Sequence, residues 1–177
     1  MVRRLELSDA PSMFASVRAS LAELVYWMPW CTEDYAVEDA ETWIRYTQEA
    51  WSRRSEFPLG IIDAGTGSVV GGTGVNQISK VNRIGNIGYW VSTQHTNRGA
   101  ARFAAKQAAM LGFGELGLTR LEIVALTHNL PSQKVAESLG ATRECQARGR
   151  LYFQGKPHDA IVYSLLPQDA AQWTGVQ

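Results

Sequence analysis

Cysteine is almost absent from this chain: Cys31 and Cys145 are the only two in 177 residues. Their separation fits neither a disulfide framework nor a metal-ligand cluster, so no metal site is expected and the fold must stand without staples. Both read as thiols of a reducing compartment. Net charge is missing too, with 17 basic residues set against 17 acidic ones. That balance argues against bulk attraction to nucleic acid or to an anionic membrane, while leaving room for a local basic pocket. No apolar run approaches the length of a membrane span, and the opening MVRRLELSDA lacks the apolar core of a signal peptide. A soluble cytoplasmic protein is expected. Repeats, low-complexity tracts and linkers are lacking as well, so residues 1–177 are read as a single domain.

What is present is an ordinary apolar fraction, 45%, and a surplus of tryptophan, six in all. The first is enough for a buried core; the second exceeds what a core of this size needs. A strand is expected over 2–7. Ser8 is placed to cap a helix carrying Met13, Phe14, Val17, Leu21 and Leu24 at helical spacing, ended by Pro29. A second helix is expected over about 37–51, with Trp43, Tyr46 and Ala50 on one stripe. Strands follow at about 57–63, 68–78 and 84–92. A helix over about 99–116 is apolar almost all round and should be well buried. A strand at 120–126, a short helix at 131–139 and a terminal pair of strands within 142–166 complete an α/β domain. Its sheet is mixed and its helices lie on both faces.

The stretch from Tyr89 to Gly140 carries the chemistry. A strand (GYWVST) runs through a basic loop holding Arg98 and Gly99 into an Ala-rich helix. A second strand then delivers Asn129 and Ser132 to the start of another helix. The free N–H groups of a helix's first turn, with the helix dipole behind them, make an anion site at such a junction. The layout is that of a protein holding a phosphorylated cofactor with chemistry at its far end. Gly71-Gly72-Thr73-Gly74 lacks the third glycine of a dinucleotide fingerprint and falls inside a strand pattern, so it is read as structural.

In the order and spacing of these elements the chain resembles the GNAT superfamily of N-acetyltransferases, in particular its RimJ/RimL-like branch, which acetylates N-termini of ribosomal proteins. The likeness runs from the first strand to Leu165. It is carried by IGYWVSTQHTNRGAARFA, by Asn129 and Ser132, by Val135 to Gly140 and by the His158-Asp159 strand. The resemblance implies a sheet of about seven mostly antiparallel strands, with acetyl-CoA held between two splayed parallel ones. It also implies backbone contacts to the pantetheine arm from Tyr89, Trp90 and Val91, whose side chains are read as core. The pyrophosphate loop would be Arg98, Gly99, Ala100, Ala101, Arg102 and Phe103. Ala101 and Phe103 replace the small residues usual in the family, and backbone N–H groups plus Arg98 and Arg102 are expected to hold the phosphates. Asn129 would touch the pantetheine arm while also capping its helix. Ser132 would donate a hydrogen bond to the departing thiolate.

The acceptor amine must be neutral to attack, and here the chain shows less. The branch often carries a Glu two residues before its Gly-Tyr pair, where this chain has Asn86. Glu23, Glu33, Asp34, Glu122, His95 and His158 are the other candidates, and none stands out as the base. An α-amine of pKa near 8 is roughly a tenth neutral at pH 7, whereas a lysine is below about a thousandth, so a weak or water-relayed base suffices for an α-amine. Trp27, Trp30 and Trp43 are expected to line the acceptor cleft. Two acceptors stay open, a protein N-terminus and a small amine; a non-catalytic acyl-CoA-binding module is the alternative. A homodimer through the terminal hairpin is in keeping with the branch.

Overall fold

The computed structural model describes residues 1–171 and 173. Seven strands form one sheet: β1 (Val2–Arg3), β2 (Phe57–Ile62), β3 (Val69–Ser79), β4 (Ile84–Val91), β5 (Arg120–Leu126), β6 (Thr142–Phe153) and β7 (Lys156–Leu165). Their spatial order is β1-β2-β3-β4-β5-β7-β6. Every neighbouring pair is antiparallel except β4 and β5. A parallel pair needs a crossover, supplied by helix α4 (Ala100–Gly114). The mixed α/β architecture is the one expected.

Helices α1 (Ala10–Arg18), α2 (Leu21–Trp27) and α3 (Val37–Arg53) cover one face, burying Met13, Val17 and Ile44 with Ile62 and Val69. On the other face α4 and α5 (Leu130–Ser138) pack over Val75, Leu121, Ile123 and Tyr163. A short α6 (Pro167–Ala171) follows the sheet. Helix α4 lies close because its inner face is Ala104, Ala105, Ala108, Ala109 and Gly112. A Cβ on Gly112 would come within 2.8 Å of the Leu121 side chain, which would have to shift within the core to make room.

Four expectations need correction. The cap of the first helix is built on Asp9, not Ser8. Its carboxylate accepts from the Glu6 N–H at 2.8 Å and from both Arg3 terminal nitrogens at 2.7 and 2.8 Å. The expected single helix over these residues is two, parted at Ala19 and Ser20, and Ser20 Oγ accepts from the Thr93 N–H at 2.9 Å. The buried stripe of α3 is Ala40, Ile44, Thr47 and Ala50, which leaves Trp43 and Tyr46 exposed beside it. Finally, α4 is not buried all round: it leaves Phe103 and Met110 exposed on the side away from its alanine face.

Candidate active site

Strands β4 and β5 pair only at Ile84 to Asn86 with Arg120 to Glu122. Beyond that point β4 stays with β3 as far as Val91 and β5 stays with β7 as far as Leu126. The facing edges of Ile87 to Val91 and Ile123 to Leu126 therefore have no strand between them. An extended chain rich in amides satisfies such edges as an added strand would. Pantetheine is a chain of that kind, so the gap fits the arm of acetyl-CoA.

The crossover begins at the mouth of this gap. Asn97 (φ 58°) and Gly99 (φ 77°) both take left-handed conformations and turn the chain into α4. Phe103 donates its N–H to the Gly99 carbonyl at 2.9 Å, which withdraws that amide from the expected phosphate cradle. Ala100, Ala101 and Arg102 keep the free N–H groups of the first turn. Arg98 and Arg102 are exposed and form no ion pair among the described residues. They add charge at the rim where a pyrophosphate would lie. Replacing both by alanine is expected to raise KM for acetyl-CoA about ten-fold with kcat little changed, since each loss removes charge-assisted hydrogen bonds to phosphate. Initial rates at varied acetyl-CoA check this.

On the other bank stands the start of α5. Asn129 caps it, its Oδ1 accepting from the Ser132 N–H at 3.1 Å, with Pro131 in the first turn. The cap uses only Oδ1, and the Asn129 amide nitrogen has no partner among the described residues. The Tyr89 side chain crosses from β4 to meet this turn. Its hydroxyl donates to the Ser132 carbonyl at 2.9 Å and lies 3.0 Å from Ser132 Oγ. Burial pushes the Tyr89 phenol up to about 12, so it keeps its proton throughout the neutral range. The ring packs against the core as expected, while the hydroxyl reaches the first turn of α5. Nothing in the local sequence shows that, because the contact spans 43 residues.

The opposite face of β4 floors a cleft of about 730 Å³. Gly72, Gly74 and Gly88 form its base; Trp30, Tyr35, Trp43 and Tyr46 form its walls. Trp30 meets Trp90 at 5.8 Å and Tyr35 at 6.0 Å, and Trp43 stacks on Tyr46 at 5.3 Å. Trp27 is not among the lining residues, which corrects the expected trio. Helix α2 ends at Trp27 and the chain turns at Met28 and Pro29, so the two indoles diverge. Trp27 stacks instead on His128 at 5.5 Å and Phe153 at 6.1 Å, over the ends of β5 and the β6–β7 hairpin.

The structure also sorts the candidate bases. Asn86 donates to Asn76 Oδ1 at 2.9 Å, an amide pair without proton affinity at neutral pH. Glu122 is tied to Arg120 at 2.9 Å, Glu23 accepts from the Thr93 hydroxyl, and Glu33 and Asp34 are exposed. His95 bonds Ser92 Oγ at 2.9 Å within its own turn. His158 has a buried Nε2 with no hydrogen-bond partner among the described residues, 6.4 Å by ring centroid from His128. Sequence reasoning passed over His128, which β5 and β7 bring opposite His158.

A sheet parted between two parallel strands, with free first-turn N–H groups at one helix and a hydroxyl pair at the start of another, suits an acyltransferase that works on a phosphorylated thioester. The acetyltransferase (GNAT) domain family matches residues 1–142, and the chain belongs to that family. It is 30% identical to the "Putative ribosomal N-acetyltransferase YdaF" of Bacillus subtilis (strain 168), over 98% of this chain and 93% of that protein. It is also similar to the structure of "a putative ribosomal-protein-serine acetyltransferase from Vibrio cholerae", with 29% identity and a TM-score of 0.81, covering 94% and 92% of the two chains. The structure of RimL, the ribosomal L7/L12 alpha-N-protein acetyltransferase, in complex with coenzyme A shares the fold, with 22% identity, a TM-score of 0.81 and 93% and 92% of the chains covered. The protein is an acetyl-CoA-dependent N-acetyltransferase. No helix among the described residues is long and apolar enough to cross a membrane.

Proposed function

We propose that this acetyltransferase, a single domain working in the cytoplasm, acetylates the α-amine of a protein N-terminus. The observation that carries this reading is the openness of the cleft: its walls Trp30, Trp43 and Tyr46 are 42%, 39% and 44% exposed. An acceptor with a chain behind its amine can leave such a cleft, whereas a small amine is better enclosed by a shut pocket. The name of the Bacillus subtilis relative, which spans nearly the whole chain, supports the same acceptor. The unpaired thiols Cys31 and Cys145 favour the reducing compartment. A homodimer through the β6–β7 hairpin is part of this reading and rests on the exposure of β6 along most of its length.

Acetyl-CoA supplies an activated acyl group, whose carbonyl carbon takes the amine lone pair as the C–S bond breaks. Backbone N–H groups on the free edge of Tyr89 to Val91 polarise that carbonyl. Ser132 Oγ donates to the sulfur as negative charge builds there, and the Tyr89 hydroxyl, 3.0 Å from Ser132 Oγ, redirects its proton from the Ser132 carbonyl to that oxygen. Neither cysteine sits beside a base, so attack is direct, within the ternary complex. The amine loses its proton to water or to a weak base on the α2 face.

The test is CoA release with free-N-terminus peptides, N-blocked lysine peptides and small amines. Turnover of the first class alone is expected, with kcat/KM rising with pH and levelling above about 8, the pKa of the α-amine. A rise extending toward about 10 would point to a lysine acceptor. Turnover of small amines alone would overturn the reading.

A further inference from the structure

Transfer leaves the amine nitrogen with a proton to lose, and one imidazole is held in place with no bonded role. His128 lies in the turn between β5 and α5, directly before Asn129. Its backbone is pinned on both sides. The Asn129 N–H donates to the Leu126 carbonyl at 2.9 Å, and Gln133 Nε2 donates to the Leu126 and Thr127 carbonyls at 3.2 and 2.9 Å. The ring is pinned as well. Trp27 stacks on it at 5.5 Å with planes 30° apart, and Phe153 and His158 lie 6.0 and 6.4 Å away by ring centroid. Yet His128 is exposed, and neither ring nitrogen is hydrogen-bonded among the described residues. An imidazole fixed by packing, with both nitrogens unengaged, is able to exchange a proton with what arrives beside it.

The sheet register puts this ring on the cleft side. β4 and β5 pair in parallel at Asn86 with Glu122, and side chains alternate between faces along a strand. Gly88 and Trp90, which line the cleft, share the face of Asn86; on β5 that face runs through Glu122 and Val124. Val124 pairs with Val162 and Leu126 with Ala160, so the next step brings His128 opposite His158. The stack with Trp27 of α2 gives the same face, the one that α1, α2 and α3 cover. His128 therefore stands across the parted edges from Gly88 and Trp90, next to the residue that caps the turn holding Ser132. His158 is the unsuitable member of the pair, because its Nε2 is closed to solvent and to any amine.

We infer that His128 is the catalytic base of the transfer, receiving the proton of the amine nitrogen. This rests on the direct-attack reading and deepens it, since the weak base on the α2 face becomes a named group. The neutral amine gives its lone pair to the carbonyl carbon, and the electron pair of the broken C–S bond goes to sulfur. The nitrogen's proton goes to the imidazole, which is exposed and then releases it to water. The ionisable groups around His128 have other partners or face water. From α2, Tyr26 meets Phe153 and Glu23 accepts from the Thr93 hydroxyl. From the hairpin, Asp159 accepts from Gln146 and the Gly149 N–H at 3.0 Å each, Arg150 lies 4.0 Å from Glu122, and Lys156 is exposed. On α5, Lys134 is exposed.

The experiment substitutes this exposed position twice in the full chain. His128→Gln keeps a polar side chain without a base, and His128→Phe keeps a ring for Trp27 to stack on. Both are expected to lower kcat about thirty-fold at pH 7, with KM for acetyl-CoA and the thermal midpoint near wild type. Toward about pH 5, log kcat/KM of the wild type should fall with a slope of about two, one proton for the amine and one for the imidazole. The variants should fall with a slope of about one. An unchanged slope, or wild-type turnover in either variant, overturns the inference; full activity in His128→Phe would reduce the residue to packing. The acceptor is whichever class of amine turns over. If only small amines do, the N-terminal reading fails and the same comparison on them still decides about His128. A second readout needs no acceptor: modification of His128 by diethyl pyrocarbonate, located by mass spectrometry. Saturating acetyl-CoA is expected to slow it several-fold, and equal rates with and without acetyl-CoA would remove His128 from the reacting centre.

Discussion

Ser132→Ala is expected to lower kcat about a hundred-fold while acetyl-CoA affinity and the thermal midpoint stay near wild type. The hydroxyl stands at the first turn of α5, beside the parted edges of β4 and β5, where in the proposed mechanism the sulfur of a bound thioester becomes a thiolate. A serine hydroxyl is too weak an acid to surrender its proton early, so its contribution is a hydrogen bond that strengthens as charge forms. Stability should hold, because the cap at this turn uses the Ser132 backbone N–H and Asn129 Oδ1 rather than the hydroxyl. Tyr89→Phe removes the hydroxyl 3.0 Å from Ser132 Oγ and is expected to cost about ten-fold in kcat. Its ring stays in the core, so the midpoint again moves little. The two hydroxyls act as a unit, and the double variant should be no slower than Ser132→Ala alone. Single-turnover release of CoA thiol, followed with a thiol reagent, separates this step from acceptor binding. Wild-type rates in Ser132→Ala would remove the serine from the mechanism, and full additivity would remove the relay from Tyr89.

The local geometry that lies along the chain was legible in the sequence, and the contacts assembled across it were not. The strand-loop-helix passage into α4 and the Asn129 cap depend on residues a few positions apart. Glycine after Arg98 and proline after Leu130 announce both turns. The free edge of β4 was legible only through the family likeness. The Tyr89 hydroxyl went unseen because alternation places Tyr89 with Ile87 on the core face, and alternation is blind to what a long ring reaches at its tip. The cleft was half seen. Tryptophans near one another in sequence suggested one cluster, but the turn at Met28 and Pro29 sends Trp27 and Trp30 to different neighbours. Glu56 and Tyr46 meet only because α3 returns to β2, so their pairing has no local signature. The buried face of α3 was misjudged for a related reason. Large aromatics outweigh alanine and threonine in any count of hydrophobicity, yet Ala40, Ile44, Thr47 and Ala50 are what fit against the sheet.

Two glycines of the same floor should respond in opposite ways to alanine. At Gly74 a Cβ would stand 2.6 Å from the Phe57 carbonyl oxygen and 2.8 Å from Pro58 Cα. Both are backbone atoms of the neighbouring strand, so relief requires β2 and β3 to part. Gly74→Ala is therefore expected to cost about 2 to 3 kcal/mol and to lower the thermal midpoint by roughly 5 to 10 °C. Gly71 is crowded in the same manner, its Cβ falling 2.4 Å from the Trp90 carbonyl oxygen. The glycine run of β3 is thus explained by strand packing, in line with its reading as structural. Gly88 is different. Its nearest neighbour to an added Cβ is Asn76 Nδ2 at 3.5 Å, an ordinary contact, and its φ is not left-handed. Packing gives no reason for glycine there, and a methyl group would instead project into the cleft beside the strand that faces the cofactor gap. Gly88→Ala should keep the wild-type midpoint and raise KM for the acceptor several-fold, about the effect of filling a site by one methyl group. Thermal unfolding and acceptor kinetics on the two variants decide the matter together. A midpoint loss in Gly88→Ala matching that of Gly74→Ala would make the floor mere packing. An unchanged midpoint with impaired acceptor binding would mark Gly88 as the place where the acceptor meets the sheet.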